Sequence, residues 1–247
     1  MFVAASTICF PESTFAEACQ SLNDLEYDRV ELWLSEASRQ LHPVEVARDP
    51  ESFVSLYRET TRLTAVAFRL DSDIKPNAFE GLSKAAKLLQ VTQITVPASP
   101  LGTPFNAEID RLRALVRIAS QDGVRVSIKT EQGHLTEDAE TAVELCGSVP
   151  GLGLTLDPSH YLLGPRPVTS FERIAPHVFH VHLRDSSSDE LQVQVGLGEI
   201  DYSRLISQLA KEHYDRALCV ELIPGLTDPG TRALEMRKLR MLLDSLL

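Results

Sequence analysis

Basic residues are scarce in this chain: 24 Lys and Arg stand against 35 Asp and Glu, giving a net charge of -11 and a pI near 5.1. That balance argues against a nucleic-acid partner, because phosphate binding relies on clustered Lys and Arg that release counterions. Cysteine is sparse too. The four, Cys9, Cys19, Cys146 and Cys219, show no CxxC spacing, and three lie in or beside apolar runs, so they read as buried, reduced thiols in a reducing compartment. No apolar run approaches the length of a bilayer span, and the start Met1-Phe2-Val3-Ala4 lacks the basic residues of a signal peptide; a cytoplasmic protein without membrane contact is expected. Walker A, HExxH and GxSxG sequences are absent, which removes P-loop, zincin and hydrolase-elbow chemistry.

What is present is an ordinary globular composition, 43% hydrophobic and 24% charged over 247 residues, enough for one large α/β domain. Short apolar runs alternate with stretches of helical period, as βα units require. Strands are expected over 2–8, 29–34, 64–70, 93–96, 124–128, 152–156, 178–183 and 217–220. Helices are expected over 14–22, 50–62, 77–89, 108–121, 137–146, 171–175, 202–211 and 231–246. Ser13, Thr136 and Asp201 are the expected caps of the first, fifth and seventh. Eight such units without a linker or composition shift predict a single-domain (β/α)8 TIM barrel over residues 1–247, with its site on the C-terminal face. The loops 98–106 and 186–199 are the longest candidates for functional loops.

The chemistry gathers at strand ends. Asp157 closes Gly153-Leu154-Thr155-Leu156; His180 and His182 share one face of Val178-Phe179-His180-Val181-His182-Leu183; Glu221 follows Cys219-Val220. Asp, His and Glu from successive strands match the oxygen and nitrogen donors that Mn, Mg, Co or Zn accepts. One strand earlier, where another carboxylate would fit, stands Lys129, with Glu131 two positions on. Each residue has a plainer reading. Asp157 before Pro158-Ser159 suits a turn or helix cap, and His182 suits a hydrogen-bonded core position with Asp185 near enough to orient it. Glu221 within an apolar run calls for a metal, a cation or a proton beside it. Glu31 in Val30-Glu31-Leu32 suits either a barrel-bottom ion pair or a substrate contact. For Lys129, Schiff-base chemistry ranks last: carboxylates at ~4 Å favour the charged amine by about 4 kcal/mol each at an effective dielectric of 20.

Asp157-Pro-Ser-His160, His180-Val-His182-Leu-Arg184-Asp185, Gly196-Leu-Gly198-Glu-Ile-Asp201 and Val220-Glu221 resemble the xylose-isomerase-like TIM-barrel superfamily, from Glu31 to Glu221. The resemblance implies one divalent ion held by Glu, Asp, His and Glu from the last four strands. Asp157, His182 and Glu221 match the last three positions, and Lys129 stands at the first, with Glu131 as the substitute if the strand end bends. The activity it implies is isomerisation or epimerisation of a small carbohydrate-like substrate, with a metal-assisted lyase built from the same parts. Glu221 would be the base, Lys129 an electrophile, and His160, His180, Arg184 and Glu31 substrate contacts. The alternative is a catalytically silent barrel that binds a sugar or a protein partner, with Lys129 replacing the metal. A homo-oligomer is compatible with either reading.

Overall fold

The computed structural model describes residues 1–247 except Pro165 and Thr169. Eight strands pair in parallel, each with its sequence neighbour, and the last closes on the first. They are β1 Phe2–Ser6, β2 Arg29–Leu34, β3 Thr64–Leu70, β4 Gln93–Val96, β5 Arg125–Lys129, β6 Leu152–Leu156, β7 Val178–Leu183 and β8 Ala217–Val220. The expected (β/α)8 barrel is therefore the observed architecture. Covered on the outside by helices and packed within, the strands carry the near-continuous apolar runs that made them legible.

The helices are α1 Phe15–Asp24, α2 Pro43–Arg48, α3 Pro50–Thr60, α4 Pro76–Leu88, α5 Phe105–Gln121, α6 Ala139–Ser148, α7 Pro158–Leu162, α8 Tyr202–Lys211 and α9 Arg232–Leu246. Asp201 caps α8 as expected, accepting from Arg204 N–H. The other two caps sit one and two residues downstream. Thr14 caps α1, because Glu17 three residues on completes a capping box, and Asp138 caps α6. Thr136 has other work: its hydroxyl donates to Lys129 O at 2.7 Å and ties down the end of β5. No α-helix forms over 171–175. Five residues before Pro176 are too few to nucleate one, and only a 3-10 turn follows at Ala175–His177. The short helix α2, opening on Pro43, lay outside the sequence expectation, whereas α7, opening on Pro158, is the helix that the plainer reading of Asp157 as a cap allowed: its carboxylate accepts Ser159 N–H. Strand β1 stops at Ser6 rather than Ile8, giving way to a 3-10 turn at Thr7–Cys9.

Two glycines matter for assembly. A side chain on Gly81 would strike the Ala47 backbone carbonyl, so α4 lies directly against α2 only because that position is bare. A side chain on Gly198 would overlap the Asp185 carboxylate, which accepts the N–H groups of Gly196 (2.7 Å) and Gly198 (3.1 Å) and pins the 186–199 loop to the end of β7.

Candidate active site

Period-two alternation sends Arg69 (β3), Lys129 (β5), His182 (β7) and the residues just past β6 and β8, Asp157 and Glu221, into the barrel near its C-terminal end. Asp157, His182 and Glu221 offer donor atoms within 4.8 Å of one another. Their convergence was expected from the sequence. The company they keep was not. Lys129 Nζ donates to both Glu221 oxygens, at 2.7 and 3.0 Å, and lies 3.8 Å from Asp157 Oδ2. Arg69 Nε is 2.7 Å from Glu221 Oε1, and Arg69 also pairs with Asp71. Arg184 reaches Asp157 Oδ2 at 2.7 Å and Glu221 Oε2 at 2.8 Å, donates to Ser159 Oγ at 2.7 Å, and donates through Nε to the Glu221 carbonyl at 2.9 Å. Glu221 thus faces an ammonium, two guanidinium groups and His182 Nδ1 at 3.0 Å.

Electrostatics follow from that ring. Burial alone would raise the Glu221 carboxyl, but His182, Lys129 and Arg69 overcome it and hold the group well below the usual carboxylate range. Burial likewise opposes ionisation of Asp157, and Arg184, His160 and Lys129 reverse the balance and lower it. His182 moves up: burial disfavours its charge, and Glu221 and Glu31 on either side outweigh that. His160 moves down through burial. Its Nδ1 accepts Gln132 N–H at 3.3 Å, so in the neutral ring the proton sits on Nε2, 3.6 Å from Asp157 Oδ2.

The other sequence candidates fall elsewhere. Glu31 is fully buried below this layer, where its Oε2 lies 2.8 Å from both His180 Nε2 and His182 Nε2. Of its two alternatives the pairing is the one seen, with these histidines rather than a lysine or arginine, and Glu31 has no exposed surface. His180, 2% exposed, faces Glu31 rather than a substrate position, and Arg184 has no exposed surface to offer a ligand. Glu131 does not join the donor cluster. Strand β5 ends at Lys129, and Glu131 N–H turns instead to Thr136 Oγ1 at 3.3 Å. Sequence reasoning missed Arg69, although a lone charge within Phe68-Arg69-Leu70 is the same anomaly as Glu31 within Val30-Glu31-Leu32. It also missed the polar chain beneath the site, in which Ser127 Oγ and Thr95 Oγ1 meet Thr155 Oγ1 at 2.5 and 2.8 Å.

The spacing of Asp157, His182 and Glu221 would admit a divalent ion, but the charges around it do not fit one. The oxygens an ion needs already neutralise Lys129, Arg69 and Arg184, and guanidinium groups stay charged at any working pH. An ion entering here would meet three cations in a dry interior.

The sequence profile described as a xylose isomerase-like TIM barrel matches residues 19–241. A 3-dehydroshikimate dehydratase of Bacillus anthracis is 24% identical over 196 residues, covering 73% of this chain and 70% of that protein. Among solved structures, a xylose isomerase-like TIM barrel protein from Mycobacterium smegmatis in complex with magnesium superposes with a TM-score of 0.78 at 14% identity, covering 99% of this chain and 97% of the other. A D-tagatose 3-epimerase-like protein gives 0.75 at 16% identity over 100% and 98%.

Proposed function

This chain belongs to the xylose isomerase-like TIM barrel family, and we propose that it is a metal-independent member whose rim binds a small, oxygen-rich hydroxy-carbonyl compound. The carrying observation is the Lys129 ammonium, 2.7 and 3.0 Å from the two oxygens of Glu221 and 3.8 Å from Asp157, where the family resemblance calls for an ion and a glutamate. Arg69 and Arg184 complete the replacement. A carboxylate that accepts from Lys129 and Arg184 and is flanked by Arg69 and His182 is a weak base, so Glu221 is poorly suited to removing a proton from carbon. The groups left to a ligand are donors. Arg69 and Lys129 keep 8% and 5% of their surface at the rim, and His160 Nε2 is buried without a hydrogen-bond partner. Donors of this kind suit carbonyl, hydroxyl and carboxylate oxygens, the groups carried by ketoses and by the dehydratase substrate named in the Bacillus relative.

A second reading keeps the metal-assisted isomerase, epimerase or lyase. It is supported by the 4.8 Å convergence of Asp157, His182 and Glu221 and by the magnesium-bound and epimerase-like structural neighbours. It requires Lys129 to leave Glu221 before any ion enters.

Manganese titration of wild type, Lys129→Glu and Lys129→Glu/Asp157→Asn separates the two. Lys129→Glu should take up one more ion per chain than wild type, and Asp157→Asn in that background should abolish the gain, since charge reversal beside two carboxylates creates the missing site. A wild-type manganese site lost in Asp157→Asn would overturn the metal-independent reading. A thermal-shift panel of ketoses, inososes and 3-dehydroshikimate, repeated on Lys129→Met, tests the ligand class: stabilisation that disappears in the variant is the expected result.

A further inference from the structure

One layer below the rim lies a second convergence of donors. Glu31 from β2, His180 and His182 from β7 and Cys219 from β8 bring one ligand atom each within 4.8 Å of the others, and none of the four residues is more than 2% exposed. We propose that this cluster is a buried site for one divalent zinc-type ion, separate from the rim position.

Several observations carry it. The hydrogen bonding here is incomplete. Glu31 Oε1 has no partner, and His180 Nε2, although 2.8 Å from Glu31 Oε2, is not aligned to donate to it. Cys219 Sγ makes only a distant 3.9 Å approach to Val220 O. Two imidazole nitrogens therefore crowd one carboxylate oxygen, which is how ligands gather where an ion belongs. Around zinc, with donors at about 2.0 to 2.3 Å, tetrahedral edges are about 3.4 Å, so the 2.8 Å separations need open by only about half an ångström.

The chemistry of the set is selective. Two imidazoles, a carboxylate and a thiolate suit zinc and disfavour magnesium or calcium, which take all-oxygen shells. Binding displaces to solvent both the Cys219 proton and the His182 Nε2 proton now donated to Glu31 Oε2, and leaves a thiolate and a neutral imidazole on the ion. The thiolate and the Glu31 carboxylate then balance two positive charges between two neutral imidazoles, so the filled site is neutral, as a dry interior favours. His182 is already oriented for this. Its Nε2 meets Glu31 Oε2 at 2.8 Å, while its Nδ1, not aligned for a hydrogen bond as the protein stands, lies 3.0 Å from Glu221 Oε2, within reach of the carboxylate that would fix the tautomer of a metal-bound imidazole. Access comes from the opposite end to the rim. A cavity of about 310 Å³ at the N-terminal mouth of the barrel is lined by Phe2, Val66, Gln93 and Phe179 and reaches His180.

The test uses the full chain, stripped by chelator in denaturant and refolded with zinc or cobalt(II). Elemental analysis should give one ion per chain in wild type and in Asp157→Asn. The cobalt form should show a thiolate-to-cobalt charge-transfer band, which the sulfur-free rim cannot produce. Cys219→Ser should lose that band, and His180→Ala should weaken zinc by more than the roughly 10- to 100-fold expected of an outer-shell change. Circular dichroism checks that each variant folds. Should His180→Ala fail to fold, Cys219→Ala, which removes a single buried heavy atom, is read in its place. An ion-free refolded wild type, a cobalt spectrum without the thiolate band, or an ion lost in Asp157→Asn but kept in Cys219→Ser would each overturn the proposal. An ion lost in Asp157→Asn but kept in Cys219→Ser would overturn the metal-independent reading as well, whereas an ion-free wild type or a cobalt spectrum without the thiolate band overturns the buried site alone, so the two readings can be told apart.

Discussion

Replacing Glu221 by Gln keeps the shape of the rim hub and removes its charge. Four donors lose a carboxylate at once: Lys129 at 2.7 Å, Arg69 at 2.7 Å, Arg184 at 2.8 Å and His182 at 3.0 Å. Summed Coulomb terms would overstate the cost, since a single contact at 2.7 Å already amounts to about 6 kcal/mol at an effective dielectric of 20 before desolvation. Each donor also keeps a second carboxylate: Asp157 for Lys129 and Arg184, Asp71 for Arg69, Glu31 for His182. The expectation is therefore the loss typical of stripping one partner from a buried pair, about 3–5 kcal/mol. Lys129→Met should cost less, about 1–2 kcal/mol, because Glu221 keeps both guanidinium groups and the buried ammonium no longer has to be desolvated. The double variant should then recover about 1 kcal/mol or more relative to the sum of the singles. Urea unfolding followed by circular dichroism measures all three, with a Tm drop of roughly 6–20 °C expected for Glu221→Gln in a domain of this size. Were Glu221→Gln within about 0.5 kcal/mol of wild type, or the two single changes strictly additive, the charge hub described above would be refuted.

Acid should unfold the protein through the same ring. Asp157 and Glu221 are both lowered in the folded state, so their contribution is complete above the unfolded carboxylate values of about 4 and is lost as pH falls through the folded ones; a urea midpoint that stays flat from pH 5 to pH 2 would contradict this. The histidines pull in opposite directions. Raised His182 contributes stability that is complete below about 6.5 and is lost as pH rises through its folded value, whereas lowered His160 and His180 contribute above about 6.5 and lose it as pH falls, and imidazole titration by NMR should show one ring moved up and two moved down. Gly81→Ala should destabilise by about 1–3 kcal/mol, the usual cost of overpacking, because its methyl meets the Ala47 backbone rather than a side chain that can turn away; an unchanged urea midpoint would mean that α2 and α4 separate freely. Asp185→Ala should free the 186–199 loop by removing the acceptor of the Gly196 and Gly198 N–H groups, seen as faster hydrogen exchange at those two amides with the barrel strands still protected.

The barrel was legible in the sequence because its information is local and repeated. Eight short apolar runs alternating with helical periods leave few other ways to cover a parallel sheet on both faces, and β4, β6, β7, β8 and α8 begin and end where the residues alone put them. The convergence of Asp157, His182 and Glu221 was legible for the same reason, since period-two alternation in a closed barrel sends successive strand ends to one rim. Elements set by capping or by a single proline were legible only in part: the turn-or-cap reading of Asp157 admitted α7, where its carboxylate accepts Ser159 N–H, but α2 went unforeseen and Thr136 serves the end of β5 instead of a helix. Least legible of all were the partners of each charge. Whether Arg184 faces a ligand or neutralises Asp157, whether Glu31 meets a base or two histidines, and whether Arg69 reaches Glu221 all depend on contacts across the barrel between residues up to 151 or 152 positions apart. The sequence by itself determined which residue types enter the barrel and at what height. Only the tertiary structure decided which cation stands beside which carboxylate, because inside a closed barrel that pairing is set by distances across the ring and not by position along any strand.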